Sequence, residues 1–236
     1  MSIPRNVWLV RHGQTDWNLT RRYMGASDRP LTEHGRRQAT SLGRFFVARK
    51  IDVIVHSGVA RTRDTAEAIC AGRKIDLIED ARWREASHGV WEGLTWREVS
   101  AHFGAQARAR FSDPLNVAPP DGESLTQLRA RVLDAYSDLG QSYPRKRVLI
   151  ATHGGVIQTL LCELFATPLA EHWRWRIDLG SASGFDCYPG ATILRAVNSI
   201  PPLVSQRIDS DESISHHNSP SQNTPCPSSK PSDSSP

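Results

Sequence analysis

The sequence predicts an α/β fold: a three-layer α/β/α sandwich with a mostly parallel central sheet. Strand-like apolar runs alternate with helix-like segments over the first 200 residues, the order expected of strands laid side by side with helices on both faces. Two of the runs, VWLV and VLIA, pass without a break into similar tails, Arg11-His12-Gly13 and Thr152-His153-Gly154. A hydrophobic core has no use for a histidine there, whereas open α/β sheets bind ligands outside the carboxyl ends of their strands.

The elements follow in order. VWLV at 7–10 is the first strand, and a helical pattern follows from Thr32 to about Arg49. IDVIV at 51–55 is the second strand, with a helix over 60–70, and IDLIE at 75–79 is the third. A long helix over 124–142 has a clear start, because Ser124 and Gln127 stand at capping-box spacing. VLIA at 148–151 is the fourth strand, a helix runs over 156–165, and a late strand pair lies around FDCY and TILRAV. After about Ser205 the chain becomes rich in Ser, Pro and Asp and nearly empty of large apolar residues. Such a segment cannot bury enough surface to offset its chain entropy. The division is therefore 1–204 as one domain and 205–236 as a disordered tail, in which His216 and His217 are poor candidates for a metal site.

At 236 residues and 39% hydrophobic, the chain is long enough for one substantial core. Nothing at the start resembles a signal peptide, and no apolar run is long enough to span a membrane, so a cytoplasmic protein is expected. Cys70, Cys162, Cys187 and Cys226 are far apart and form no CxxC pair, so neither a zinc site nor a disulfide framework is suggested. Residues 201–236 hold two basic and four acidic side chains, so the rest, with 27 basic against 21 acidic, carries +6 within an overall +4. A basic body favours anionic ligands. No arginine-rich helix or aromatic RNA-binding motif accompanies it, so a small phosphorylated metabolite is expected rather than nucleic acid. A homodimer is left open.

His12 and His153 face one another if their strands are neighbours. The glycines behind them, Gly13 and Gly154, let the backbone approach a ligand closely. Arg11 offers a planar fork of donors for phosphate or carboxylate oxygens. Arg61, just beyond the second strand, opens a helix whose N-terminus favours an anion. Gln14, Thr15 and Asn18 add neutral donors in the loop after His12. Two histidines, two arginines and several amides suit phosphate. No Walker A loop, GxGxxG or HExxH occurs, so the phosphate is handled without a nucleotide fold, metal or cofactor. Transfer then needs a nucleophile on the protein, which a neutral imidazole supplies. Glu85, ahead of the turn GVWEG, is the leading proton donor, a role that requires a pKa raised by burial or by substrate charge. Each residue alone has a plainer reading: a hydrogen-bonded loop histidine, a surface acid, a solvated arginine. Their combination is hard to attribute to packing.

LVRHGQTDWNLTRRYMGASDRPLTEHGRRQA, SGVARTRDTA, REASHGVWEG, PPDGESLTQLRARV and ATHGGVIQTLL resemble, in order, the motifs of the histidine phosphatase family, which includes cofactor-dependent phosphoglycerate mutases and small phosphatases. The resemblance covers roughly residues 5–198. It implies a mixed sheet sandwiched by helices and no metal requirement. It implies His12 as the phosphorylated nucleophile and Glu85 as proton donor and acceptor. Arg11, Asn18, Arg61 and His153 would cradle the phosphoryl group, with Gln14 and Gly25 lining the pocket. The short stretch between Glu85 and Gly122, and Gly-Gly after His153, favour the phosphatase branch over the mutases. EHWRWRIDLGSASGFDCYPGATILRAVNS resembles the alpha-ribazole phosphatases of cobalamin synthesis. Trp173, Arg174, Trp175 and Arg176 either hold a nucleotide-like substrate or form a strand edge with one packed face. Beside the metal-independent phosphomonoesterase stand two alternatives, a bisphosphoglycerate-dependent mutase and a silent phospholigand-binding protein.

Overall fold

In the computed structural model, residues 4–203 are described. The expected tail, with His216, His217 and Cys226, lies outside the described residues. Six strands form one sheet in the order β3-β2-β4-β1-β5-β6: β1 (Asn6–Arg11), β2 (Val53–His56), β3 (Asp76–Glu79), β4 (Arg147–Thr152), β5 (Ala182–Tyr188) and β6 (Ala191–Ser199). The first four are mutually parallel, and β5 and β6 close one edge as an antiparallel pair. The expected mostly parallel sheet is thus present.

The apolar strands feed two cores, because side chains alternate across a sheet. Val7, Leu9, Val148 and Ile150 point to one face, where α6 (Leu125–Ser142) and α7 (Gly154–Leu164) supply Leu128, Val132, Leu160 and Leu161. Trp8, Val10, Leu149 and Ala151 point to the other, against Leu42 and Phe46 of α2 (Glu33–Val47) and Ala66 and Ile69 of α3 (Ala60–Cys70). This is the three-layer sandwich. Ser124 and Gln127 do form the capping box that starts α6, and Thr32 caps α2.

Three short helices have no counterpart in the sequence reading: α1 (Asp16–Leu19), α4 (Trp96–His102) and α5 (Gly104–Ser112). The last two cover a small cluster of Trp91, Val99 and Ala107. The strand-edge reading of the Trp-Arg alternation is corrected. Leu169–Arg174 is a 3-10 stretch, followed by Trp175 in extended conformation. The chain wraps over α7 here, and Gln158 donates to the Trp175 carbonyl at 2.8 Å. Among the described residues Cys70, Cys162 and Cys187 are free thiols, and no helix is long and apolar enough to cross a membrane.

Candidate active site

The pairing of β1 with β4 builds the site. Arg11 stands opposite Thr152 in the parallel register, and the His12 amide donates to the Thr152 carbonyl at 3.1 Å. His12 and His153 therefore leave neighbouring strands at one level. Their ring centroids are 5.1 Å apart at 63°, and both side chains are buried.

The hydrogen bonds decide which nitrogen each ring offers. His12 Nδ1 lies 2.7 Å from the Gly13 carbonyl. A carbonyl only accepts, so Nδ1 carries the hydrogen and a neutral ring keeps its lone pair on Nε2. Burial, reinforced by the Arg61 and Arg11 cations, holds His12 well below the usual imidazole range. It is therefore neutral at physiological pH, with Nε2 nucleophilic.

Arg61 is fully buried at 0% exposure, which excludes the solvated-charge reading. Its guanidinium donates to the Ser27 carbonyl at 2.7 Å and the Gly25 carbonyl at 2.8 Å. Burial pushes its pKa down to about 10, opposed by the Glu85 charge. Arg11 donates to the Ile177 carbonyl at 2.6 Å, and burial lowers its pKa as well, opposed by Glu85 and Asp178. Arg11 Nε, Arg61 Nε and His153 Nδ1 are buried without a partner among the described residues. Each unsatisfied guanidinium N–H costs roughly 1–3 kcal/mol, a cost that an oxyanion beside the two arginines would relieve.

The loop after His12 is held from both sides. Gln14 Oε1 accepts from the Thr32 hydroxyl at 3.0 Å, and Asn18 Oδ1 accepts from the Thr15 amide at 2.9 Å and hydroxyl at 3.0 Å. Each amide is thus turned with its oxygen engaged and its NH2 group left to donate. Thr15 differs from the expectation. Its hydroxyl hydrogen goes to Asn18 in the capping box of α1, so its part is to orient Asn18 rather than to donate to a phosphate. Gly25 lies against the Ala86 carbonyl, where a Cβ would collide with it. Glu92 ties down the same loop by accepting from the Ala26 and Ser27 amides at 2.7 Å.

Glu85 stands at the start of α7. Its carboxylate accepts from its neighbour's amide, Ala86, at 2.9 Å and from the Gly155 amide at 3.0 Å. Arg131 of α6 fixes the backbone around it, donating to the Arg82 and Arg84 carbonyls at 2.7 and 2.8 Å while gripping Glu123 with both ends of its fork. Beside Glu85 a cleft of about 410 Å³ is lined by Ala26, Arg84, Ser87, Gln127 and Arg131. Trp173 and Trp175 do not line it.

Sequence reasoning missed Gly155, Arg131, Ser57, Thr62 and Thr65. The last three lie inside HSGVARTRDTA, where the helical spacing of Arg61, Thr62 and Thr65 was the available signal. Thr65 accepts from the Gly13 amide at 3.2 Å and donates to the Arg61 carbonyl at 2.7 Å. Gly154 sits against the Arg11 guanidinium, within 3.4 Å of where a Cβ would be.

The sequence profile of the histidine phosphatase superfamily (branch 1) matches residues 7–200. An adenosylcobalamin/alpha-ribazole phosphatase of Salmonella typhimurium is 31% identical over 199 residues, 82% of this chain and 96% of that protein. A protein of Cronobacter sakazakii named as a probable phosphoglycerate mutase is 34% identical over 180 residues, 76% of this chain and 84% of its own length. Among solved structures, the alpha-ribazole phosphatase of Shigella flexneri superposes with a TM-score of 0.79 at 27% identity, covering 85% of this chain and 99% of that one. The profile spans the strands and loops that carry His12, Arg61, Glu85 and His153, and the chain belongs to the histidine phosphatase superfamily, branch 1.

Proposed function

We propose that the chain is a phosphomonoester hydrolase working through a phosphohistidine at His12. The carrying observation is the tautomer of His12: Nδ1 donates to the Gly13 carbonyl, so Nε2 keeps its lone pair in a site that also holds His153, the buried Arg61 and the half-buried Arg11. His12 Nε2 attacks phosphorus, the N–P bond forms and the ester P–O bond breaks. The leaving oxygen takes a proton from the Glu85 carboxyl. Water then attacks phospho-His12, giving its proton to Glu85, and inorganic phosphate leaves. Arg11 and Arg61 offset the charge on the transferring oxygens, the largest contribution expected at such a site.

For the leaving group, we take alpha-ribazole 5′-phosphate as the ester to test first. Support comes from the relatives named for that activity. The relative named as a probable mutase keeps transfer to a second sugar-acid oxygen as the rival outcome. The experiment is phosphate release with EDTA from a panel containing alpha-ribazole phosphate and both phosphoglycerates. Selective release from the ribazole ester supports the full reading, and diffuse release supports a general phosphatase. Interconversion of the phosphoglycerates without release would overturn hydrolysis. Alkaline quenching during turnover should leave the phosphoryl group on His12, and its absence would sink the covalent step.

A further inference from the structure

Ser57 and Thr62 take no part in the reaction just described, yet they are buried and joined to His153. The Thr62 hydroxyl donates to the Val59 carbonyl at 2.9 Å. A hydroxyl has one hydrogen, so in its 2.9 Å bond with Ser57 Oγ, Thr62 accepts. The serine hydrogen is then committed. In the 2.9 Å bond between Ser57 Oγ and His153 Nε2 the imidazole therefore donates. A neutral imidazole has one N–H, and with it on Nε2 the other nitrogen, Nδ1, is a bare lone pair. That nitrogen is buried without a partner among the described residues.

The groups facing His153 are Arg11 and His12 from β1 and its following loop, Arg61 from α3, Arg131 from α6, and Glu85 across the Gly155 amide. Burial first, then Arg61, His12 and Arg11, keep its ring neutral in the free protein. A monoester dianion carries three charged oxygens and no O–H. Against the Nδ1 lone pair such an oxygen is repelled rather than held.

We propose that Ser57 and Thr62 are positioning residues that hold His153 in its Nε2–H form, so that a phosphoryl dianion binds only together with one proton, shared between His153 Nδ1 and a phosphoryl oxygen. The binding step is neutral-ring protein plus dianion plus one proton, giving the complex, with no covalent bond made or broken. It rests on the reading that this pocket holds a phosphoryl group. Without the two hydroxyls, the ring is free to place its hydrogen on Nδ1 and donate to the dianion with no proton taken up.

The probe is phenylphosphonate, whose C–P bond is not hydrolysed and whose dianion has no O–H. Its binding is followed by calorimetry in buffers of different ionisation heat, on the alkaline side of its second ionisation. The protein carries Glu85→Gln, so that the other proton acceptor beside the pocket is silent. Uptake of one proton is expected, with Kd weakening about tenfold per pH unit. Adding Ser57→Ala should abolish the uptake and flatten the pH dependence. Thr62→Val, nearly isosteric, should do the same and carries the test if the serine variant fails to fold, while Thr62→Ser should restore the uptake. A merely structural role would weaken binding equally at every pH with the uptake unchanged, and that result overturns the proposal. Binding without uptake in the Glu85→Gln protein overturns it too, leaving the functional reading intact. No binding at all would overturn both.

Discussion

Gly155 shows how little room the site leaves at single residues. Its amide holds one Glu85 oxygen at 3.0 Å, and a Cβ there would overlap the other. Gly155→Ala should therefore displace the carboxylate while α7, which begins a residue earlier, still forms. Steady-state kinetics should show kcat lowered roughly 10- to 100-fold, part of the roughly 100- to 10,000-fold that a well-placed general acid supplies, with KM little changed and the thermal midpoint nearly kept. Unchanged kcat would mean that Glu85 is not the proton donor. His12→Ala belongs at the same scale: it should abolish turnover with the fold intact, and substantial residual hydrolysis would rule out the nucleophile. At this scale, residues whose side chains project into the pocket were legible, because histidine, arginine and acid at strand ends have few packing reasons to be there. Residues acting through a backbone N–H or a hydroxyl, such as Gly155 and Ser57, were not, since nothing in their type distinguishes them from turn formers.

Helix α3 and the segment before α7 show the same division among elements. HSGVARTRDTA places a strand end, a turn and a helix start in eleven residues, and α3 begins where that pattern predicts, at Ala60. The cap of α6 was equally legible, because capping is a local rule of spacing. The antiparallel hairpin β5–β6 was visible as two strands but not in direction, and α4 and α5 escaped because their few buried positions set up no long period. Arg131 was hidden for another reason: it is one of two arginines on α6, and only the fold brings it to the carbonyls of residues 82 and 84. Arg131→Met would leave those carbonyls and the Glu123 carboxylate without their partner, at a cost of about 2–4 kcal/mol. Denaturant titration should register that loss, together with a fall in kcat greater than any rise in KM as Glu85 loosens. A stability loss with kcat untouched would show that Glu85 is held by Gly155 and Ala86 alone.

For the whole molecule, two imidazoles kept neutral and buried make folding depend on pH. His12 and His153 are both held well below the usual imidazole value, by burial first and by the neighbouring arginines next. In the unfolded chain they return to about 6.5, so below that pH the unfolded state binds more protons than the folded one. Their contribution is complete above about 6.5 and declines as the pH falls toward their folded values. Each fully suppressed histidine contributes a slope of about 1.4 kcal/mol per pH unit. Urea unfolding in phosphate-free buffer should therefore show the two together removing roughly 2–3 kcal/mol between about pH 7.5 and about 5.5. His56 and His88, whose pKa values burial also lowers, add to the acid lability but not to the difference made by the pair. The double variant His12→Gln, His153→Gln should accordingly lose that part of the slope, whatever its stability at neutral pH. An acid slope equal to that of the wild type would mean that the imidazoles are charged in the folded protein, and with that the neutral nucleophile at His12 would fall.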